Sequence, residues 1–177
     1  MNNRAGGGAR YALMTEWVLA APVQRVFDAL EAPREWPHWW PYLQDVALVS
    51  PGDARGTGAV WRYTWSSRLP YRLTFDMTTT ASRRPELIEA TASGELRGTG
   101  RWRLSRDGNA SRVSYEWVVA IGKPWMNLLA PLLAPVFRWN HDQVMAAGGR
   151  GLARHLGVTL LACHRLPDDE ARRCTTC

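Results

Sequence analysis

Between Val46 and Ile121 the chain keeps a two-residue rhythm, and that rhythm limits its folds more than any other feature. Trp61, Tyr63 and Trp65 alternate with Arg62, Thr64 and Ser66. Tyr71, Leu73, Phe75 and Met77 alternate with Arg72, Thr74 and Asp76. Leu96, Gly98, Gly100, Trp102 and Leu104 form a third such set, and Val113, Tyr115, Trp117, Val119 and Ile121 a fourth. A period of two puts one set on each face of a strand. Pro51-Gly52-Asp53, Arg68-Leu69-Pro70 and Asp107-Gly108-Asn109 supply the turns, with short strands at 46–49 and, more weakly, Leu87–Ser93. Short connections between such strands give an antiparallel meander with one apolar face and one wet face.

The apolar face needs a cover, and only one long helical pattern is available, from Lys123 to Leu156. Trp125, Leu129, Leu132, Val136 and Trp139 recur at spacings of three and four, and then Phe137, His141, Val144, Gly148, Leu152 and His155 do so on another side. Pro131 and Pro135 fall at the changeover, and each removes an amide donor and crowds the turn before it. The spacing predicts a short helix over 124–131, a break or kink, then a longer helix to 156. Upstream, Arg10–Leu19 reads as a first strand, and Val23, Val26, Phe27 and Leu30 as a short helix opened by Pro22. Trp36-Pro37-His38-Trp39-Trp40-Pro41 allows one helical turn and an aromatic loop.

A lone long helix on a one-sided sheet forces the sheet to curl around it. The inward side chains are mostly bulky aromatics, with Gly98 and Gly100 among them, so the fill is imperfect and a pocket is expected between sheet and helix. Ten tryptophans suit either an aromatic core or the lining of an apolar ligand site. The expected lining is Trp40, Trp61, Tyr63, Trp65, Tyr71 and Phe75 with Trp102, Tyr115 and Trp117, faced by Phe137, His141 and Val144 from the helix.

This order of elements, together with Trp17–Leu30 (WVLAAPVQRVFDAL), Trp36–Pro41, Ser67–Phe75, Gly94–Trp102, Trp139–Met145 and Gly149–Leu152, resembles the Bet v 1-like, START-related (SRPBCC) superfamily, of the polyketide cyclase/dehydrase and lipid-transport type. The resemblance spans about residues 12–156. It implies an α+β helix-grip fold: a curved antiparallel sheet of about seven strands around a long C-terminal helix, with two short helices after the first strand. It also implies an internal cavity for a lipid, polyketide or aromatic compound. Residues 1–9 are expected to be disordered, 10–157 to form the ligand-binding domain, and 158–177 to be a flexible tail.

Two functions are compatible with that cavity. One is binding of a small hydrophobic ligand. The alternative is a polyketide cyclase or dehydratase, in which His141 or a tyrosine transfers protons. An imidazole titrates near neutrality and is suited to that task. Tyr63, Tyr71 and Tyr115 could donate to a carbonyl. Arg62, Arg72, Arg101, Arg103, Asp76 and Glu116 fall on the opposite register and are expected to form charge pairs on the wet face. Glu16 and Glu89 have no clear register.

Other chemistries find little support. The net charge of +6 comes from dispersed arginines and a single lysine, with no stripe for a phosphate backbone, so nucleic acid is not an expected partner. No stretch reaches the ~20 apolar residues of a membrane span, so stable membrane insertion is not expected either. The opening MNNRAGGGARYALMTEWVLAA mimics a signal peptide, but Thr15 and Glu16 interrupt its apolar run, and a cytoplasmic location is expected. There is no strand–GxGxxG–helix, GxSxG or HExxH pattern, and no cofactor is expected. Cys163, His164, Cys174 and Cys177 have zinc-ligand chemistry but no fold to close them, so free thiols are expected and no metal. A monomer or homodimer is expected.

Overall fold

The computed structural model describes residues 10–66, 72–121 and 124–167, with the backbone alone for Arg10, Ile121 and residues 124–134. Tyr71, the Arg68-Leu69-Pro70 connection, residues 1–9, Cys174 and Cys177 lie outside the described residues, as do the side chains of Trp125, Leu129 and Leu132.

Strand β1 (Arg10–Leu19) leads into α1 (Val23–Leu30), a 3₁₀ turn (Pro33–Glu35) and the single-turn α2 (Trp36–Trp39). A meander follows: β2 (Leu43–Ser50), β3 (Val60–Ser66), β4 (Arg72–Arg83), β5 (Leu87–Gly94), β6 (Leu96–Asp107) and β7 (Ala110–Ile121). Helix α3 (Pro124–Leu156) and strand β8 (Leu160–Leu166) complete the fold. The eight strands form one sheet in the order β2-β3-β4-β5-β6-β7-β1-β8, every pairing antiparallel. This is the helix-grip architecture, with α3 packed against β1, β7 and β8 and against α1 and α2.

The alternation of the sequence is the alternation of the faces. Tyr63, Phe75, Trp102, Leu104, Val113, Trp117 and Val119 are buried on the concave side. The opposite register forms ion pairs across neighbouring strands: Arg62 with Asp76 at 2.8 Å, and Arg101 with Glu89 at 2.6 Å and Glu116 at 3.1 Å. Such pairs keep the outer face soluble and contribute little stability each.

Two elements differ from the expectation. Helix α3 runs as one 33-residue element through Pro131 and Pro135. A proline deletes a single i→i−4 bond and bends a helix more readily than it ends one, so a long helix can pass through. The second difference is β8, formed from a stretch expected to be a flexible tail. Gly157, at φ +66°, ends α3, and the Val158 amide donates back to the Ala153 carbonyl at 2.9 Å. The Ala20 amide then donates to the Thr159 carbonyl at 2.9 Å, and β8 pairs with the free edge of β1 from Met14 to Leu19. An open strand edge is a row of unsatisfied donors and acceptors, and β8 satisfies it. It also fixes Glu16, whose carboxylate is buried between Arg112 and His164, and brings Arg165 within 3.2 Å of Asp142 on α3.

The core is built on indoles. Trp40, at the end of α2, has its ring centroid within 5.1–6.3 Å of those of Trp17, Trp36, Trp39, Trp65 and Trp102. Its Nε1–H donates to the Val144 carbonyl at 2.9 Å. The helix can approach this cluster because it carries glycines there. A Cβ on Gly148 would lie 2.4 Å from the Trp40 ring, and one on Gly151 1.8 Å from the Trp39 carbonyl oxygen.

Candidate functional site

A cavity of about 200 Å³ lies between α3 and the concave face of the sheet. Nine of the expected residues line it: Trp40, Trp65, Phe75, Trp102, Tyr115, Trp117, Phe137, His141 and Val144. Trp61 and Tyr63, also expected there, instead line a second cavity of about 180 Å³ under α1 and the 3₁₀ turn. Register alone places them inward but does not say how far along the strand the cavity reaches: Trp65, at the end of β3, borders both hollows, whereas Trp61 and Tyr63, earlier in the strand, border only the second.

The first cavity is mostly aromatic. Trp102 stacks on Tyr115 with ring centroids 4.1 Å apart, Tyr115 stacks on Trp117 at 5.9 Å, and Phe75 lies 5.8 Å from Trp117. Phe137 of α3 meets Tyr11 of β1 edge-on at 5.8 Å. The rim is polar. Arg72, expected on the wet face, is exposed at the mouth beside Glu95, whose carboxylate accepts the Thr74 amide at 2.8 Å. Arg72 is the first residue of β4, where the sheet ends and an outward register still borders the opening.

Polar atoms inside the cavity are few. Both ring nitrogens of His141 are buried and form no hydrogen bond among the described residues, and the same holds for Asn140 Oδ1 and Trp65 Nε1. The Asp142 carboxylate stands 3.9 Å from His141 Nδ1, too far for a hydrogen bond. A buried polar atom without a partner costs roughly 1–3 kcal/mol; Trp65, Asn140 and His141 all line the hollow, but these particular atoms are packed away from it. Burial pushes the hydroxyls of Tyr63 and Tyr115 far above the ordinary phenol range, so both remain protonated donors.

Sequence reasoning missed Tyr11, Leu13, Trp36, Leu73, Leu96, Val119, Asn140 and Met145, all of which line the cavity. Tyr11 and Leu13 share the period-two register with Trp17 in β1, and that signal was available. Asn140 carried none, since its place beside His141 at the hollow depends on the helix's roll against the sheet. Among the described residues no group of His, Cys, Asp and Glu side chains is arranged to hold a metal ion. Cys163 is half-buried in β8, and burial raises its thiol above the usual range. Among the same residues no helix is long and apolar enough to cross a membrane.

Several solved structures share the fold. A protein from Thermus thermophilus, TTHA0849, superposes with a TM-score of 0.67 at 14% identity, covering 82% of this chain and 99% of its own. The Zhui aromatase/cyclase from Streptomyces sp. R1128 gives 0.67 at 12% identity, covering 84% and 94%. A START superfamily protein from Mycobacterium smegmatis gives 0.66 at 11% identity, covering 85% and 98%. No curated protein sequence matches this one. Residues 13–157 match the family described as polyketide cyclase / dehydrase and lipid transport, nearly the whole of the sheet and helix that enclose the cavity, and the chain belongs to that family.

Proposed function

We propose that this protein encloses a small hydrophobic ligand (a lipid, polyketide or aromatic compound) in the cavity between α3 and the sheet. The observation that carries the reading is the hollow of about 200 Å³ between helix and sheet, walled by aromatic side chains and bordered by Asn140 and His141. Removing apolar surface from water yields roughly 25 cal/mol per Å², so a ligand that buries ~200 Å² gains ~5 kcal/mol before any polar contact.

A second reading, proton-transfer catalysis on a polyketide-like substrate, is favoured by the position of His141 and by the fold shared with an aromatase/cyclase. His141 would exchange a proton with a substrate carbon or oxygen held against the aromatic wall. Mass spectrometry of small molecules extracted from the purified protein tests the first reading. A ligand retained by the native chain and lost when Leu96, at the cavity's edge, is changed to Trp supports it; an empty chain that binds no apolar probe refutes it. His141→Ala separates the two readings. Binding with weakened affinity is expected under either, and turnover of a poly-β-keto substrate lost only in the variant selects catalysis.

A further inference from the structure

One end of the sheet carries an excess of positive charge. The pairings Arg10↔Ala120, Leu96↔Ile121 and Phe75↔Gly94 bring the start of β1, the end of β7 and the β5–β6 turn to the end at which β4 begins with Arg72. On β1 and β4–β7 that end holds Arg10, Arg72 and Arg97 against a single carboxylate, Glu95. Arg72 and Arg97 are both exposed. At the opposite end the cations are matched, Arg84 by Asp28 and Glu31, and Arg112 by Asp107 and Glu16.

Helix α3 brings an apolar stretch to the cationic end, since it starts three residues after β7. Between Glu116 and Asp142 the only formal charges in the sequence are Lys123 and Arg138, both positive. Among the described residues five large apolar side chains are exposed. Leu48, Val49 and Leu161 belong to the edge strands β2 and β8, whereas Val136, 37% exposed, and Trp139, 45% exposed, stand together on α3. Their neighbours Phe137 and Asn140 line the first cavity, so one turn of helix has a cavity side and an outward apolar side. A tryptophan at a wet-dry boundary, among cations and without acidic residues, suits the interface of a bilayer with acidic headgroups. A second copy suits it less, because the same surface meeting itself brings like charges together. Residues 124–139 extend ~24 Å as a helix, short of the ~30 Å hydrocarbon core, so the segment can lie on a bilayer but not span one.

We propose that this end of the molecule docks on the surface of an anionic lipid bilayer, with Val136 and Trp139 entering the interface and Arg72 and Arg97 facing the acidic headgroups. The mouth of the first cavity, beside Arg72, then opens towards the bilayer. Docking does not require the cavity to be occupied. The test is cosedimentation of the full chain with vesicles of phosphatidylcholine alone and with vesicles containing roughly one quarter phosphatidylglycerol. The native chain should bind the second kind, lose that binding as salt rises, and leave the first kind in the supernatant. Val136→Gln/Trp139→Gln should weaken binding by about tenfold or more at unchanged Tm, and Arg72→Gln/Arg97→Gln by a similar factor. Leu48→Gln/Val49→Gln, equally exposed but on β2, should bind like the native chain. The proposal is overturned if the native chain ignores anionic vesicles or binds both kinds alike, if either the α3 pair or the arginine pair binds as well as the native chain, or if the β2 pair loses as much. A dimer that disappears in Val136→Gln/Trp139→Gln, with no vesicle binding by the native chain, would assign the surface to a second copy and overturn it as well.

Discussion

The closeness of α3 to the tryptophan cluster can be measured by adding one methyl group. In Gly148→Ala the new Cβ would sit 2.4 Å from Trp40 Cε2 and 2.7 Å from its Nε1. The ring has nowhere to retreat, because five aromatic neighbours surround it and its Nε1–H is held by the Val144 carbonyl. Overpacking of this kind costs about 1–3 kcal/mol, and loss of the indole hydrogen bond adds ~1 kcal/mol. Helix propensity works the other way, since alanine is favoured over glycine by ~1 kcal/mol. The net expectation is a loss of about 1–3 kcal/mol, or roughly 2–10 °C in Tm for a chain of this size. Gly149→Ala is the internal control. It gains the same propensity, but its Cβ meets Trp17 no closer than 3.1 Å, which a shift of a few tenths of an ångström relieves. Thermal and urea unfolding of both variants should therefore place Gly149→Ala at least ~1 kcal/mol above Gly148→Ala. Equal stabilities, or the reverse order, would refute the claim that the glycines exist to seat the indoles.

Two other outcomes follow from the same structure. Folding holds the Tyr63 and Tyr115 protons on, because burial raises both phenols, whereas the unfolded chain releases them near pH 10. Their contribution is thus complete below about pH 10 and is lost as pH rises beyond it, by ~1.4 kcal/mol per tyrosine at pH 11. Urea midpoints at pH 9 and pH 11 should show the native chain losing more stability than Tyr63→Phe/Tyr115→Phe, and parallel losses would contradict the burial of the two hydroxyls. Truncation after Gly157 removes β8 and leaves the β1 edge and Glu16 uncovered. Light scattering should then show aggregation on warming at a temperature where the full chain is clear; an equally soluble, equally stable truncate would mean that β8 is dispensable.

The sequence was sufficient for the sheet. Alternation at Trp61–Ser66, Leu96–Leu104 and Val113–Ile121 specifies which side chains face inward, because a strand's faces repeat every two residues whatever surrounds it. The helix was equally legible in extent, and so was the hollow, although not for the reason the glycines suggested: the space over Gly100 is filled by Tyr115 and Trp117, and that over Gly98 by the Val118 backbone. Other features had no local signal. Residues 160–166 become a strand only because β1 offers an edge, and α3 passes its prolines although the sequence marks them as a break. The second hollow was also invisible. Trp36 and Tyr115, far apart in the chain, come to line both hollows only when α2 is folded over the sheet. Periodicity is a property of neighbours in sequence, whereas edges, partitions and cavities belong to residues that meet only after folding.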